Sequence, residues 1–223
     1  MLLYDSVLFD LDGTLTDPKE GITKSVQYAL NHYGIQVEDL ERLIPFIGPP
    51  LMDSFQEFYG FSPEQAREGV QVYREYFSER GWRENRVFPG IPSMLEELRA
   101  AGKHLYVATS KPEVFALRIL KHFDLEQYFD GVGGADLGEK RCRKADVIRY
   151  LLEKEGIPWE RKEERNRILM IGDRKHDVLG AAQLGIDCAG VLYGYGSQEE
   201  MEESNAFAIV KTVGDLKNLL LGM

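Results

Sequence analysis

Two aspartates near the N-terminus, Asp10 and Asp12, follow a short apolar run, Ser6-Val7-Leu8-Phe9, and are followed by Gly13-Thr14-Leu15. The run reads as a strand buried on both faces. Alternate residues of an extended chain point to opposite sides, so both carboxylates reach one substrate only if the chain turns straight after Asp10. Gly13 and Thr14 supply that turn. Two acids this close repel each other, which favours a bound cation, a shared proton, or both. At the carboxyl end of a first strand they sit where open α/β sheets bind ligands. A strand followed by a plain Asx-type turn is the structural alternative.

Three further groups can do chemistry. Thr109-Ser110-Lys111 offers a hydroxyl and successive backbone N–H groups after a second strand, which suits a phosphate oxygen, although Ser and Thr are also ordinary turn formers. Lys144 falls in the first turn of a helix, where the macrodipole disfavours a cation. An anion is therefore expected to face it, and a solvated lysine within the basic run from Lys140 to Lys144 is the alternative. Gly172-Asp173-Arg174-Lys175-His176-Asp177 follows an apolar strand and opens a helix; Asp177 there is either functional or a plain helix cap. His176 matches no metal-site spacing and is expected to face solvent. Cys142 is expected to be exposed and Cys188 to lie in the core, and neither has the partners that zinc or redox chemistry requires.

The elements that position these groups follow from periodicity. The chain has 223 residues and 43% hydrophobic content, enough for one good core and a second, smaller unit. Beyond Asp17 as cap and Pro18 in a first turn, Ile22, Val26, Ala29 and Leu30 recur at helical steps to Gly34. Val37–Leu43, Leu51–Phe58 and a segment from Ser62 to about Arg80 read as further helices, so residues 17–84 form an all-helical insert. Pro92–Ala100 is a helix and His104–Ala108 a strand, then a helix through Leu117 and Leu120 leads to a strand over Phe129–Val132. Next come a helix from Lys144, a strand over Arg167–Ile171, a helix over Val178–Leu184, and strands over Cys188–Leu192 and Ala208–Val210, with Trp159–Asn166 as a charged loop. The alternation predicts an α/β fold, a Rossmann-like doubly wound parallel sheet built from residues 1–16 and 85–223.

Composition narrows the function. A formal net charge of −10 argues against nucleic acid polymers and anionic membranes as partners, so an anionic substrate needs a locally positive pocket. With only two cysteines, no apolar run approaching ~20 residues, and no basic leader or cleavage site after Met1, a cytoplasmic enzyme is expected.

The string Asp10-Leu11-Asp12-Gly13-Thr14, the hydroxyl of Thr109, Lys144 and Gly172-Asp173-x-x-x-Asp177 resemble, in this order and across the whole chain, the four motifs of the haloacid dehalogenase-like (HAD) hydrolases. The resemblance implies that Asp10 attacks phosphorus to form an aspartyl phosphate and that Asp12 is the general acid and base. It further implies that Mg²⁺ is held by Asp10, Asp173 and the backbone carbonyl of Asp12, that Thr109, Ser110 and Lys144 meet the phosphoryl oxygens, and that Asp177 orients a metal-bound water or the lysine. The helical insert resembles a small cap domain. Its Ile47-Gly48-Pro49-Pro50-Leu51 segment, like Gly190–Gly196, is similar to phosphoglycolate phosphatase-like and 5′-nucleotidase-like members, and Gly48 and Pro49 are expected to form a rigid substrate-facing edge. The function implied is Mg²⁺-dependent hydrolysis of a small phosphorylated metabolite, with the oligomeric state unspecified. The alternatives are a β-phosphoglucomutase-like phosphotransferase and, from another class, a receiver-like phosphoacceptor signalling or binding protein, which has no helical insert.

Overall fold

The computed structural model describes residues 4–138 and 141–223; Lys140, the first residue of the basic run that ends at Lys144, and Glu139 before it lie outside the described residues. The first strand, β1 (Ser6–Phe9), has Val7, Leu8 and Phe9 fully buried, as a continuous apolar run requires. The chain then passes β2 (Thr16–Asp17), α1 (Lys19–His32), a 3-10 segment (Leu40–Phe46), α2 (Leu51–Tyr59) and α3 (Pro63–Tyr76). After a π turn over Phe77–Gly81 come β3 (Arg86–Val87), α4 (Ile91–Ala100), β4 (His104–Pro112), α5 (Glu113–His122) and β5 (Gly131–Ala135). The remainder is α6 (Lys144–Lys154), the single turn α7 (Lys162–Arg165), β6 (Ile168–Gly172), α8 (Lys175–Ala182), β7 (Asp187–Val191), α9 (Gln198–Glu203), β8 (Ala208–Val210) and α10 (Val213–Leu221). These elements form two compact units, residues 1–16 with 87–223, and residues 17–86.

The larger unit is an α/β layer structure around a six-stranded sheet of order β5-β4-β1-β6-β7-β8, with every pairing parallel. β1 lies between β4 and β6, so Leu8 pairs with Tyr106 on one side and Met170 on the other. The strand order reverses at β1, and such a switch point opens a crevice beyond the carboxyl ends of the strands. Helix α6 presents Val147, Ile148, Leu151 and Leu152 at three- and four-residue steps to a core that includes Leu8, Met170, Val178 and Met201. Each fully buried aliphatic chain there contributes roughly 1.5–3 kcal/mol.

The smaller unit buries Ile22, Val26, Ala29 and Leu30 of α1 and an aromatic cluster in which Phe55 stacks on Phe61 at 5.5 Å and meets Phe46 at 5.1 Å. Asp17 accepts the Lys19 N–H at 3.1 Å, so it caps α1 from two residues before the helix, and Pro18 takes the N-cap position instead of the first turn. The expected helix over Val37–Leu43 is a 3-10 segment displaced to Leu40–Phe46; Pro45 inside it has no N–H to give to an α-helical ladder.

Other boundaries shift for identifiable reasons. The strand expected over Phe129–Val132 is Gly131–Ala135, because three glycines hide its strand character. Those glycines are demanded by packing: a Cβ on Gly133 would lie 2.7 Å from Leu151 Cβ, and one on Gly134 would lie 2.6 Å from Glu113 Cα. β4 continues past Thr109 to Pro112, and the charged segment Trp159–Asn166 contains α7.

Candidate active site

Asp10 stands at the carboxyl end of β1, its N–H tied to Ile171 of β6 at 2.8 Å. Its Oδ1 accepts the Leu11 N–H at 2.7 Å. The Leu11 carbonyl in turn gathers the N–H groups of Leu15 at 2.9 Å and Thr16 at 3.0 Å, while the Gly13 N–H reaches the Thr16 carbonyl at 2.7 Å. This tight turn needs φ of +83° at Gly13, where a Cβ would lie 2.1 Å from Asp173 Oδ2. Both Asp10 and Asp12 are buried as a result.

Lys144 opens α6 and is buried. Its ammonium donates to the Ala108 carbonyl at 3.0 Å and forms ion pairs with Asp10 Oδ1 at 2.9 Å and Asp177 Oδ1 at 2.8 Å. Those acids are the anions that face it. Burial alone would lower the lysine's pKa, but Asp10 and Asp177 together outweigh burial and hold the ammonium charged. Three acceptors meet a group with three N–H bonds, so the protein itself orients Lys144. Asp177 also accepts the Arg174 N–H through Oδ2 at 3.1 Å, closing the N-terminal turn of α8, so one carboxylate meets both the helix end and Lys144. Its Oδ1 meets Lys144 as an ion pair, not along a well-aligned hydrogen bond.

Asp173 ends the run from β6 and is fully buried. Its Oδ2 accepts the Tyr195 N–H at 2.8 Å, whereas Oδ1 is buried with no hydrogen-bond partner. Burial first, then the charges of Asp177 and Asp10, push its carboxyl well above the ordinary carboxylate range. One oxygen each of Asp10, Asp173 and Asp177 lie within 4.8 Å of one another. An orphaned carboxylate oxygen in an all-oxygen cluster fits a hard cation such as Mg²⁺, which would relieve both the repulsion and the lost hydrogen bond. The geometry brings Asp177 into the oxygen cluster itself.

Two features have a role that the motifs do not state. The first is the loop Tyr193-Gly194-Tyr195-Gly196 after β7, which supplies the N–H that holds Asp173. A Cβ on Gly194 would lie 2.3 Å from the Gly13 carbonyl oxygen and 2.4 Å from Asp173 Cβ. Gly194→Ala is therefore expected to displace Asp173, costing ~1–3 kcal/mol of stability and weakening half-maximal activation by Mg²⁺ about tenfold. A metal titration with unchanged midpoint in a folded variant would exclude that role for the loop.

The second is the side chain of Lys111. In the sequence, residues 109–111 stand out for a hydroxyl and N–H groups, not for a cation. Thr109 is buried, its hydroxyl accepting the Lys111 N–H at 3.2 Å, and Ser110 is half-buried. The Lys111 ammonium lies 2.6 Å from Asp12 Oδ2. A charged residue ending an apolar strand was the only signal for it in the sequence.

Other expectations change. His176 is half-buried instead of facing solvent; burial, then Arg174 and Lys175, push its imidazole pKa down, and it does not join the oxygen cluster. Cys142 is half-buried instead of exposed, Cys188 is buried, and the two form no disulfide. Gly48 and Pro49, in the unit of residues 17–86, are half-buried, and Gly48 adopts φ of +106°. Among the described residues no helix is long and apolar enough to cross a membrane.

A family profile described as "Haloacid dehalogenase-like hydrolase" matches residues 7–191. A Pseudomonas aeruginosa protein named 5′-nucleotidase is 52% identical over 200 residues, covering 90% of this chain and 88% of that one. A Mycobacterium tuberculosis protein named tyrosine-protein kinase PtkA is 40% identical over 217 residues, 96% of this chain and 72% of its own length. The crystal structure of a predicted phosphatase from Clostridium acetobutylicum superimposes with a TM-score of 0.94 at 48% identity, covering 99% of this chain and 100% of that one.

Proposed function

We propose that this chain, which belongs to the haloacid dehalogenase-like hydrolases and is a phosphoric monoester hydrolase, uses Mg²⁺ and an aspartyl-phosphate intermediate on Asp10 to cleave small esters of the nucleoside-monophosphate or phosphoglycolate kind. The observation that carries this reading is the cluster at the switch point of the sheet. Asp10 is paired with a buried lysine at 2.9 Å, one oxygen of Asp173 lies within 4.8 Å of oxygens of Asp10 and Asp177, and Asp173 Oδ1 is buried without a hydrogen-bond partner.

In this account both stabilising contacts of Asp10 fall on Oδ1, which leaves Oδ2 to attack phosphorus in line. The phosphorus–oxygen bond to the leaving group breaks, and Asp12 gives that oxygen its proton. Asp12 then takes a proton from the water that attacks the phosphoaspartate, releasing inorganic phosphate and restoring Asp10. Burial raises the Asp12 pKa, Lys111 opposes that, and Asp10 adds to it; the net upward direction suits an acid that must hold a proton near neutrality. Lys144 keeps Asp10 and Asp177 oriented, and Thr109 and Ser110 with nearby N–H groups meet the phosphoryl oxygens. Asp10, Asp173 and the Asp12 carbonyl would hold Mg²⁺, with Asp177 beside them, and the ion would supply positive charge against the phosphoryl oxygens. A cytoplasmic setting fits two cysteines without a disulfide.

Residues 17–84 act in this reading as the cap that sets the substrate, with Gly48 and Pro49 as its recognition edge. The test is phosphate release across nucleoside monophosphates, phosphoglycolate, sugar phosphates and pyrophosphate, with Mg²⁺ or with chelator. Nucleoside monophosphates or phosphoglycolate should rank first and chelator should abolish release. Preference for pyrophosphate, or phosphoryl transfer to a sugar or tyrosine acceptor in place of water, would contradict it. Replacing Gly48 with Leu is expected to lower kcat/KM for the best ester by ~10²-fold while sparing acetyl phosphate. Equal losses on both would assign the loop to the chemistry instead.

A further inference from the structure

Lys111 is buried, with a side chain only 5% exposed, and its 2.6 Å ion pair falls on one oxygen of Asp12, Oδ2. The other oxygen, Oδ1, is buried with no hydrogen-bond partner. The carboxylate is thus asymmetric, one oxygen held on a cation and the other bare. The pairing of β4 with β5 shifts register between Thr109 and Pro112, an irregularity of the kind that re-aims a side chain. The Lys111 N–H is fixed on the Thr109 hydroxyl at that point. Lys144 is not available for the same task, since Asp10, Asp177 and the Ala108 carbonyl already surround it. Each aspartate of the Asp10–Asp12 pair therefore has its own buried cation.

We propose that Lys111 is a positioning residue for Asp12: by holding Oδ2 it directs Oδ1 to the leaving-group oxygen and, in the second step, to the attacking water. This rests on the reading of Asp12 as proton donor and acceptor. Lys111 itself forms and breaks no bond; the proton leaves Asp12 Oδ1 for the departing oxygen and returns to it from water.

A buried ion pair with a purely structural task makes different predictions. An activated ester such as 4-nitrophenyl phosphate needs no proton to release its leaving group, so its burst reports phosphorylation without Asp12. In Lys111→Met the burst rate and KM should stay within about threefold of the parent, while breakdown of the phosphoenzyme and kcat on an alkyl phosphate should fall ~10–100-fold. In the Asp12→Asn background the same change should slow breakdown by no more than about threefold, because a residue that acts only through Asp12 has nothing left to lose. Lys111→Gln is measured alongside, and thermal melting identifies the folded variants. Equal loss of burst and breakdown, or losses that multiply in the double variant, would overturn the proposal. If Asp12→Asn slows breakdown and the Lys111 variants do not, Lys111 alone is misassigned. If Asp12→Asn leaves breakdown unchanged, the role of Asp12 fails and the proposal fails with it.

Discussion

Asp10→Asn is expected to lower kcat by ~10⁴-fold or more, the scale on which removal of a nucleophile acts, while the protein remains folded. The substitution keeps the shape of the side chain, and the amide oxygen can still accept the Leu11 N–H that holds the turn. Lys144 retains Asp177 and the Ala108 carbonyl, so no buried cation is left alone. Removing one negative charge from the neighbourhood of Asp173 and Asp177 also relieves repulsion that the fold otherwise tolerates. A thermal midpoint close to that of the parent together with lost turnover is the predicted pair of results. More than about a hundredth of parental kcat, after exclusion of contaminating parent enzyme, would remove Asp10 from the nucleophile's role.

Lys144→Met is expected to damage stability as well as rate. The methionine fills much of the same volume but leaves Asp10 and Asp177 buried without their cation. Removing one partner of a buried ion pair costs ~3–5 kcal/mol, because the remaining charge is stranded. Urea unfolding should register that loss as a lower midpoint with an unchanged slope. Added Mg²⁺ should restore part of it, since a ligand that binds only the folded acid cluster stabilises by mass action. A variant as stable as the parent would mean that the lysine carries little of the electrostatic burden assigned to it.

How far the sequence foretold these sites depends on how local their causes are. The parallel α/β core was legible because apolar runs of four or five residues alternate with 3.6-residue periodicities, and each run needs both faces covered. Asp10 and Lys144 were singled out by a chemical anomaly of their own, a close acid pair and a cation in a first helical turn, whereas Asp173 and Asp177 were singled out by the resemblance of Gly172-Asp173-x-x-x-Asp177 to a family motif; the fold gathers the four within ion-pair distance or a few ångströms. Lys111 was read only for its backbone, since it lies where the pairing of β4 with β5 shifts register, and no single-strand pattern encodes such a shift. The Tyr195 N–H was out of reach for a similar reason: a backbone donor has no residue-type signature, and Gly194 reveals its purpose only once Gly13 and Asp173 are beside it. β5 was misplaced because glycine suppresses the strand signal wherever neighbouring elements must come close.

The covalent role of Asp10 is tested most directly by trapping. Asp12→Asn protein mixed with 4-nitrophenyl phosphate and Mg²⁺ should release one burst of nitrophenolate per chain and gain the mass of one phosphoryl group. Digestion should locate that group on the peptide carrying Asp10, because phosphorylation proceeds with a good leaving group while hydrolysis of the phosphoaspartate stalls without its base. A burst of nitrophenolate with no phosphoryl group on that peptide, or with the group on another residue, would contradict the account.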